Sequence, residues 1–365
     1  MKYSHLLNNN FNDIIFVGEG MSVTNLIKNN KKFQKFLDKY IPDETYIRTI
    51  DFYNPDHTLL VPNNLGKDSY ILGVASEYLF MVAINKVIDE NNQISFDNLN
   101  SDKGLKYLEI HCDNKELFNK IKGKYNEIKT YLKWESFYSN LYVKAKWERS
   151  DIFSTHMIDV YEKLLKKDLK TIKSRKYDFY FNLDDICVYA IFCARLELIY
   201  KNGIIPDDLY VAFFEIDKYK EMITELKEIL KLFIKVFIMP YKIDGSYYEP
   251  YINNTSSVYF HPENKKLFDI FHGFEIDMIL DENIVDFKSS AEIKRMDWAQ
   301  LLIYIIFWSI VSDEEFTGFI YLSRYGIIKQ IDLEYIVNLY NNEEFQKDFF
   351  EILCTLGIDI TNLTS

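Results

Sequence analysis

Apolar residues recur along this chain at two different spacings, and the change from one to the other divides it. Between about Leu105 and Tyr241 they fall three and four apart, in segments such as Met157 to Leu169 and Tyr219 to Ile238, which predicts a mostly helical stretch. Before it, Asp13 to Val17 reads as a short strand and Ser22 as the cap of a helix carrying Leu26, Phe33 and Phe36 to Tyr40. A loop rich in Pro, Asn and Gly spans Pro55 to Gly66, and a long helix runs from about Ser69 to Asp89. After Pro240 the texture changes. Gly245-Ser246, Asn253-Asn254 and Pro262 punctuate short runs of Val, Ile, Phe and Tyr, the pattern of strands and hairpins. Met296 to Ser309 returns to helix, Thr317 to Leu322 and Ile327 to Ile331 to strand, and Glu334 to Leu356 to a terminal helix.

Within the strand-rich part, Phe274 to Leu280 and Asn283 to Ser289 flank a polar turn at Asp281-Glu282. A two-residue turn there pairs Leu280 with Asn283 and, in the same register, Asp277 with Asp286, about 5 Å apart across the strands. Alternation puts Lys288 on the face of Asp286. Moving the turn to Glu282-Asn283 opposes Asp277 to Lys288 instead and keeps all three on one face, whereas a one-residue slip separates them. Two carboxylates beside Ile279 and Ile284 call for a cation, and a hard oxygen-seeking ion such as Mg²⁺ or Mn²⁺ suits them. The tripeptide [D/E]-x-K alone carries no weight, because it recurs at Asp113 to Lys115, Glu225 to Lys227 and elsewhere in helix or loop sequence. Its place in an apolar hairpin gives Asp286 to Lys288 meaning.

Composition narrows the class further. The 365 residues are 48% hydrophobic and 16% aromatic, enough for a large core in one elaborated domain or two. Met1 to Asn10 holds no continuous apolar segment, and the run Leu301 to Val311 is shorter than the roughly 20 residues that span a bilayer, so a cytoplasmic chain without membrane contact is expected. Cys112, Cys187, Cys193 and Cys354 form no CxxC pair and read as reduced thiols. The net charge of -12 opposes phosphate binding, yet it is uneven: Lys115 to Lys176 carries about +8 and the remainder about -20. In that basic stretch Trp134 and Trp147, interleaved with Lys129, Lys133, Lys144, Lys146 and Arg149, suit either unpaired bases or a helical core. Gly18-Glu19-Gly20 is a plain turn, since a dinucleotide site needs a third glycine.

The run Phe271 to Lys288, with Gln300-Leu-Leu-Ile-Tyr304 after it, resembles the PD-(D/E)xK nuclease superfamily and its restriction-like and RecB-like branch. That pattern has an acidic residue on a first helix, an Asp ending one strand, (D/E)xK in the next and QxxxY on the following helix. Leu72-Gly-Val-Ala-Ser-Glu77-Tyr-Leu-Phe80 is similar to the glycine-led first helix, with Ser76 where related nucleases often have His. The resemblance covers about residues 70 to 90 and 257 to 335, where Arg324 suits either a phosphate or a structural ion pair. It implies an α/β, restriction-endonuclease-like core, a mixed central sheet flanked by helices with a large helical insertion. Residues 1–65 would pack on the core, 66–104 form its first part, 105–250 the insertion, and 251–365 its main part with the C-terminal helix.

The same resemblance implies Mg²⁺- or Mn²⁺-dependent hydrolysis of phosphodiester bonds, with DNA the expected partner and RNA a second, in a setting such as restriction or antiviral defence. Asp277, Asp286, Glu77 and the Phe287 carbonyl would hold the metal, Lys288 would assist the attacking water, and Gln300 and Tyr304 would shape the site. Some relatives carry a four-cysteine iron-sulfur cluster, which the cysteine spacing here does not support. His272 adjoins the site, and the other histidines form no ligand spacing. The alternative is an inactive nuclease-fold scaffold whose helical insertion binds a partner protein or nucleic acid.

Overall fold

The apolar alternation after Pro240 becomes a sheet, and the helical spacing before it becomes a separate group of helices. The computed structural model describes residues 23–51, 53–62, 69–85, 87–88, 94–96, 99–147, 172–174, 177–179, 183–215, 219–239, 241–243, 246–248, 250–253, 255–271, 274–290 and 292–358. The strand expected at Asp13 to Val17, the Gly18 to Gly20 turn, Ser22, Met157 to Leu169 and His272 lie outside the described residues. Two units divide the chain: Met1–Asp51, Ser257–Leu322 and Ile327–Ser365 form one, and Phe52–Ser256 with Ser323–Gly326 the other.

The first unit opens with helices α1 (Val23–Asn29) and α2 (Lys31–Tyr40) and strand β1 (Ile47–Ile50). Apolar spacing alone predicts one helix here. Asn30 breaks it, because its side chain accepts the N–H groups of Lys32 and Phe33 at 3.1 and 3.0 Å and so caps a new helix.

The second unit follows with α3 (Ser69–Asn85), α4 (Asn100–His111), α5 (Lys115–Trp147), a hairpin of β2 (Ile172–Ser174) and β3 (Tyr177–Phe179), α6 (Leu183–Asn202), α7 (Leu209–Phe214) and α8 (Lys220–Phe233). A π turn over Ile234–Ile238 extends α8, and β4 (Tyr241–Ile243) with β5 (Ser246–Tyr248) forms a second hairpin. Helix α3 stops short of Asp89. The Asn85 side chain bonds both the carbonyl and the N–H of Ile94, which draws the following chain back onto the helix end. Gly104 lets α4 meet α6 backbone to side: a Cβ there would stand 1.8 Å from the Leu196 carbonyl oxygen. Arg324 is a structural ion pair inside this unit. Its buried Nη2 donates to Glu225 Oε2 at 2.7 Å, and Nη1 donates to the carbonyls of Val61 and Pro62.

The chain then returns to the first unit with β6 (Val258–Phe260), α9 (Lys265–Ile270), β7 (Met278–Leu280), β8 (Asn283–Lys288), α10 (Arg295–Ser312), β9 (Thr317–Leu322), β10 (Ile327–Ile331), α11 (Leu333–Tyr340) and α12 (Glu343–Leu356). The single terminal helix expected from Glu334 is in fact two, because the Asn342 side chain accepts the N–H groups of Glu344 and Phe345 and starts α12 afresh. Among the described residues the main sheet has six strands in the order β1-β10-β9-β8-β7-β6, all antiparallel neighbours except β8 and β9. The protein is therefore a mixed α/β protein, with an open mixed sheet and many helices. No helix among the described residues is long and apolar enough to cross a membrane.

A parallel pair needs a crossover, and α10 supplies it between β8 and β9. This helix is apolar on nearly every side, as suits a helix covered by sheet on one face and by other helices elsewhere. Phe307 meets Phe271 and Phe349 edge-on, with ring centroids 4.7 and 5.7 Å apart. Gly318 on β9 sets how closely the helix lies on the sheet. A Cβ there would sit 2.8 Å from the Ile284 carbonyl oxygen and 2.9 Å from the Leu301 and Ile305 methyls.

Two stability measurements follow from these contacts. Gly318→Val overpacks the helix-sheet contact and is expected to lower unfolding free energy by about 1–3 kcal/mol in urea denaturation. Glu225→Leu strands the buried Arg324 charge and is expected to cost about 3–5 kcal/mol, while Lys39→Ala, at a solvent-exposed pair with Glu344 and Asp348, is expected to leave the urea midpoint nearly unchanged.

Candidate active site

The hairpin of β7 and β8 takes the first of the two registers open to the sequence. Leu280 faces Asn283, Ile279 faces Ile284 and Met278 faces Val285, so Asp281 and Glu282 form the turn. Asp281 adopts a left-handed backbone (φ 51°), which a short polar side chain tolerates. Two bonds hold it to Ser257: its N–H donates to the Ser257 carbonyl, and its carboxylate accepts the Ser257 N–H, both at 2.8 Å. One step past the ladder, Asp277 stands across from Asp286. The Asp277 carboxylate accepts the Phe287 N–H at 2.8 Å, and its carbonyl accepts the His261 N–H at 3.1 Å. Asp277 is thus fixed by backbone on both sides.

Asp286 is 4% exposed, on a strand buried by sheet neighbours on either side. Lys288 Nζ donates to its Oδ1 at 3.1 Å. The same nitrogen forms an ion pair with Oδ2 at 2.9 Å, although this buried oxygen accepts no hydrogen bond among the described residues. A third carboxylate approaches from α10: Asp297 Oδ1 is 3.5 Å from Lys288 Nζ, while its Oδ2 accepts the Lys294 N–H at 2.7 Å. Asp297 was not singled out from sequence. Its signal was available in the spacing, since Asp297, Gln300 and Tyr304 recur at three and then four residues and share one helical face.

Three carboxylates therefore meet one ammonium, and the titration of the central pair reflects it. Burial, with the Asp277 and Asp297 charges added, pushes Asp286 up to about 7 despite the opposing pull of Lys288. For Lys288 burial works downward, but Asp286 and Asp277 outweigh it and hold the ammonium well above its ordinary range. Gln300 Nε2 donates to the Tyr304 hydroxyl at 2.7 Å. Burial, and to a smaller degree the Asp286 and Asp277 charges, keeps that hydroxyl protonated, although Gln300 acts in the other direction. The Tyr304 ring stands edge-on to Phe274, centroids 4.9 Å apart.

Asp277, Asp286 and Lys288 are thus brought together, and α10 carries Gln300 and Tyr304. The Phe287 ring packs away from them, near the rings of Phe260 and Tyr321. Glu77 belongs to the second unit, in the middle of α3, with a carboxylate oxygen within 4.8 Å of one from Glu197 on α6. Glu197 accepts the Tyr78 hydroxyl at 2.8 Å and pairs with Lys201 at 2.9 Å. Ser76 donates to the Gly73 carbonyl at 2.6 Å. In the basic stretch, Lys129 donates to both Asp102 oxygens at 2.8 Å, and the side chains of Trp134 and Trp147 lie outside the described residues.

The side-chain donors are carboxylates in excess over the one lysine, and a buried Asp286 oxygen accepts no hydrogen bond among the described residues, a set that fits a hard divalent cation. Comparison with protein-family models, with curated proteins and with solved structures finds no match.

Asp286→Asn tests the charge excess in metal-free protein. Because the folded state raises this acid, wild-type stability is fullest below the unfolded carboxyl pKa and falls as pH rises to the folded value. The variant is therefore expected to gain on wild type between about pH 4 and about pH 7, by roughly 1–3 kcal/mol, with a constant difference above, as read by urea denaturation across pH.

Proposed function

We propose that this protein is a metal-dependent nuclease of the PD-(D/E)xK type that hydrolyses phosphodiester bonds in DNA. The observation that carries the reading is the buried Asp286, whose Oδ2 accepts no hydrogen bond among the described residues, beside Asp277 and Lys288. A buried excess of carboxylate over ammonium costs stability, so its retention supports a site made for a cation. The strand-helix-strand frame supports the reading, since β8 delivers the (D/E)xK residues and α10 the QxxxY pair.

Asp277 and Asp286, with the Phe287 carbonyl, would hold Mg²⁺ or Mn²⁺. Once bound, such an ion neutralises charge on the phosphate and makes its water easier to deprotonate. Lys288 orients the attacking water and stabilises the negative charge that builds on the phosphoryl oxygens. Gln300 and Tyr304, locked to each other, form the wall of the site against which the substrate backbone lies. The setting we propose, by resemblance, is restriction or antiviral defence, where cleavage of foreign DNA is the output.

Purified protein incubated with linear, circular and single-stranded DNA, and with RNA, is expected to cleave DNA only with Mg²⁺ or Mn²⁺ and to stop on chelation. Lys288→Ala and Asp277→Ala are each expected to lower the rate by about 100-fold or more. No metal-stimulated cleavage of any substrate, or equal cleavage by Lys288→Ala, would overturn the reading.

A further inference from the structure

We infer that Asp297 is a positioning residue for Lys288, the anion that keeps its ammonium in place when Asp286 gives its oxygens to a divalent cation. This rests on the nuclease reading of the site.

The geometry assigns different tasks to the two acids that flank the lysine. Asp286 can turn an oxygen to a cation: its buried Oδ2 accepts no hydrogen bond among the described residues and meets Lys288 as an ion pair at 2.9 Å. Asp297 is committed on both sides. Its Oδ2 takes the Lys294 N–H at 2.7 Å, and its Oδ1 faces Lys288 Nζ at 3.5 Å. The bond to Lys294 closes the first turn of α10, so the carboxylate is aimed by the helix start rather than by its own rotamer. That turn is itself braced, since Arg295 reaches Asp38 through Nε and Nη2, both at 2.8 Å.

A cation on Asp286 changes what Lys288 experiences. It draws on the carboxylate that now holds the ammonium at 2.9 Å, and it repels the ammonium as a like charge. With Asp286 alone, the lysine would swing outward, away from where a water must be oriented. Asp297 stands on Lys288 from the helix side, so the ammonium has a second seat that the cation does not contest.

Asp297→Asn separates this task from helix capping, because the amide oxygen can still accept the Lys294 N–H while the negative charge is gone. The variant is expected to melt close to wild type and to bind Mn²⁺ in calorimetry with unchanged affinity. Its kcat for DNA cleavage should fall at least tenfold with KM unchanged, and Asp297→Glu should recover part of the rate. A second readout needs no substrate: acylation of Lys288, followed by peptide mass spectrometry in Mg²⁺, should run at least fivefold faster in Asp297→Asn than in wild type. If wild type cleaves and Asp297→Asn cleaves equally well, or if Lys288 acylates at the same rate in both with Mg²⁺ present, the assignment to Asp297 falls and the nuclease reading stands. A wild-type chain that neither binds Mn²⁺ nor cleaves overturns both.

Discussion

Charge at the end of strand β8 is out of balance, and much of the first unit is arranged around keeping it so. Asp286 and Asp297 both reach Lys288, at 2.9 and 3.5 Å, and Asp277 adds its charge from the neighbouring strand, in a place where water cannot screen them freely. Left to themselves such groups would turn apart or take up protons. Two of the acids are held by backbone N–H groups, Asp277 by Phe287 and Asp297 by Lys294, each of which fixes the direction of its carboxylate. The Asp286 side chain is held by Lys288 alone among the described residues, and burial raises its pKa. The site is thus two anchored acids around one that is not.

Holding that imbalance requires elements that do not drift. The acids come from the β7–β8 hairpin and from α10, the helix that follows β8 in sequence. Strand β8 lies between β7 and β9 and cannot slide, because its antiparallel register with β7 runs from Asn283 to Val285 and its parallel register with β9 from Asn283 to Lys288. Helix α10 is pressed onto the sheet where Gly318 leaves no side chain between them. Distances among the acids are consequently set by packing several residues away, which is how a site keeps its geometry without a loop to hold it.

The hairpin was legible in the sequence because period-two alternation and a polar turn leave few alternatives, though two registers stayed open, and the strands Thr317–Leu322 and Ile327–Ile331 were legible from the same alternation. What escaped did so for identifiable causes. Apolar spacing runs unbroken across Asn30 and across Asn342, so two helix pairs read as single helices, although in each case an asparagine side chain starts the second helix. Asp297 resembles any acidic residue in a first helical turn, and its nearness to Lys288 exists only once strand and helix are folded. Arg324 stood open between two roles because its partner Glu225 lies 99 residues away in sequence.

Strand β1 closes one edge of the main sheet against β10, and the two are tied by side chains as well, with Lys329 Nζ on Thr49 Oγ1 across 280 residues of sequence. The whole second unit, Phe52–Ser256 with Ser323–Gly326, is made between them. During synthesis, residues 47–50 therefore wait as an unpaired strand while Phe52–Ser256 emerges, and the sheet is sealed only when β10 leaves the ribosome. An exposed strand edge in that interval is a point at which a nascent chain can pair wrongly with another copy. The shortness of β1, four residues with Arg48 facing outward, keeps that waiting edge from becoming a template.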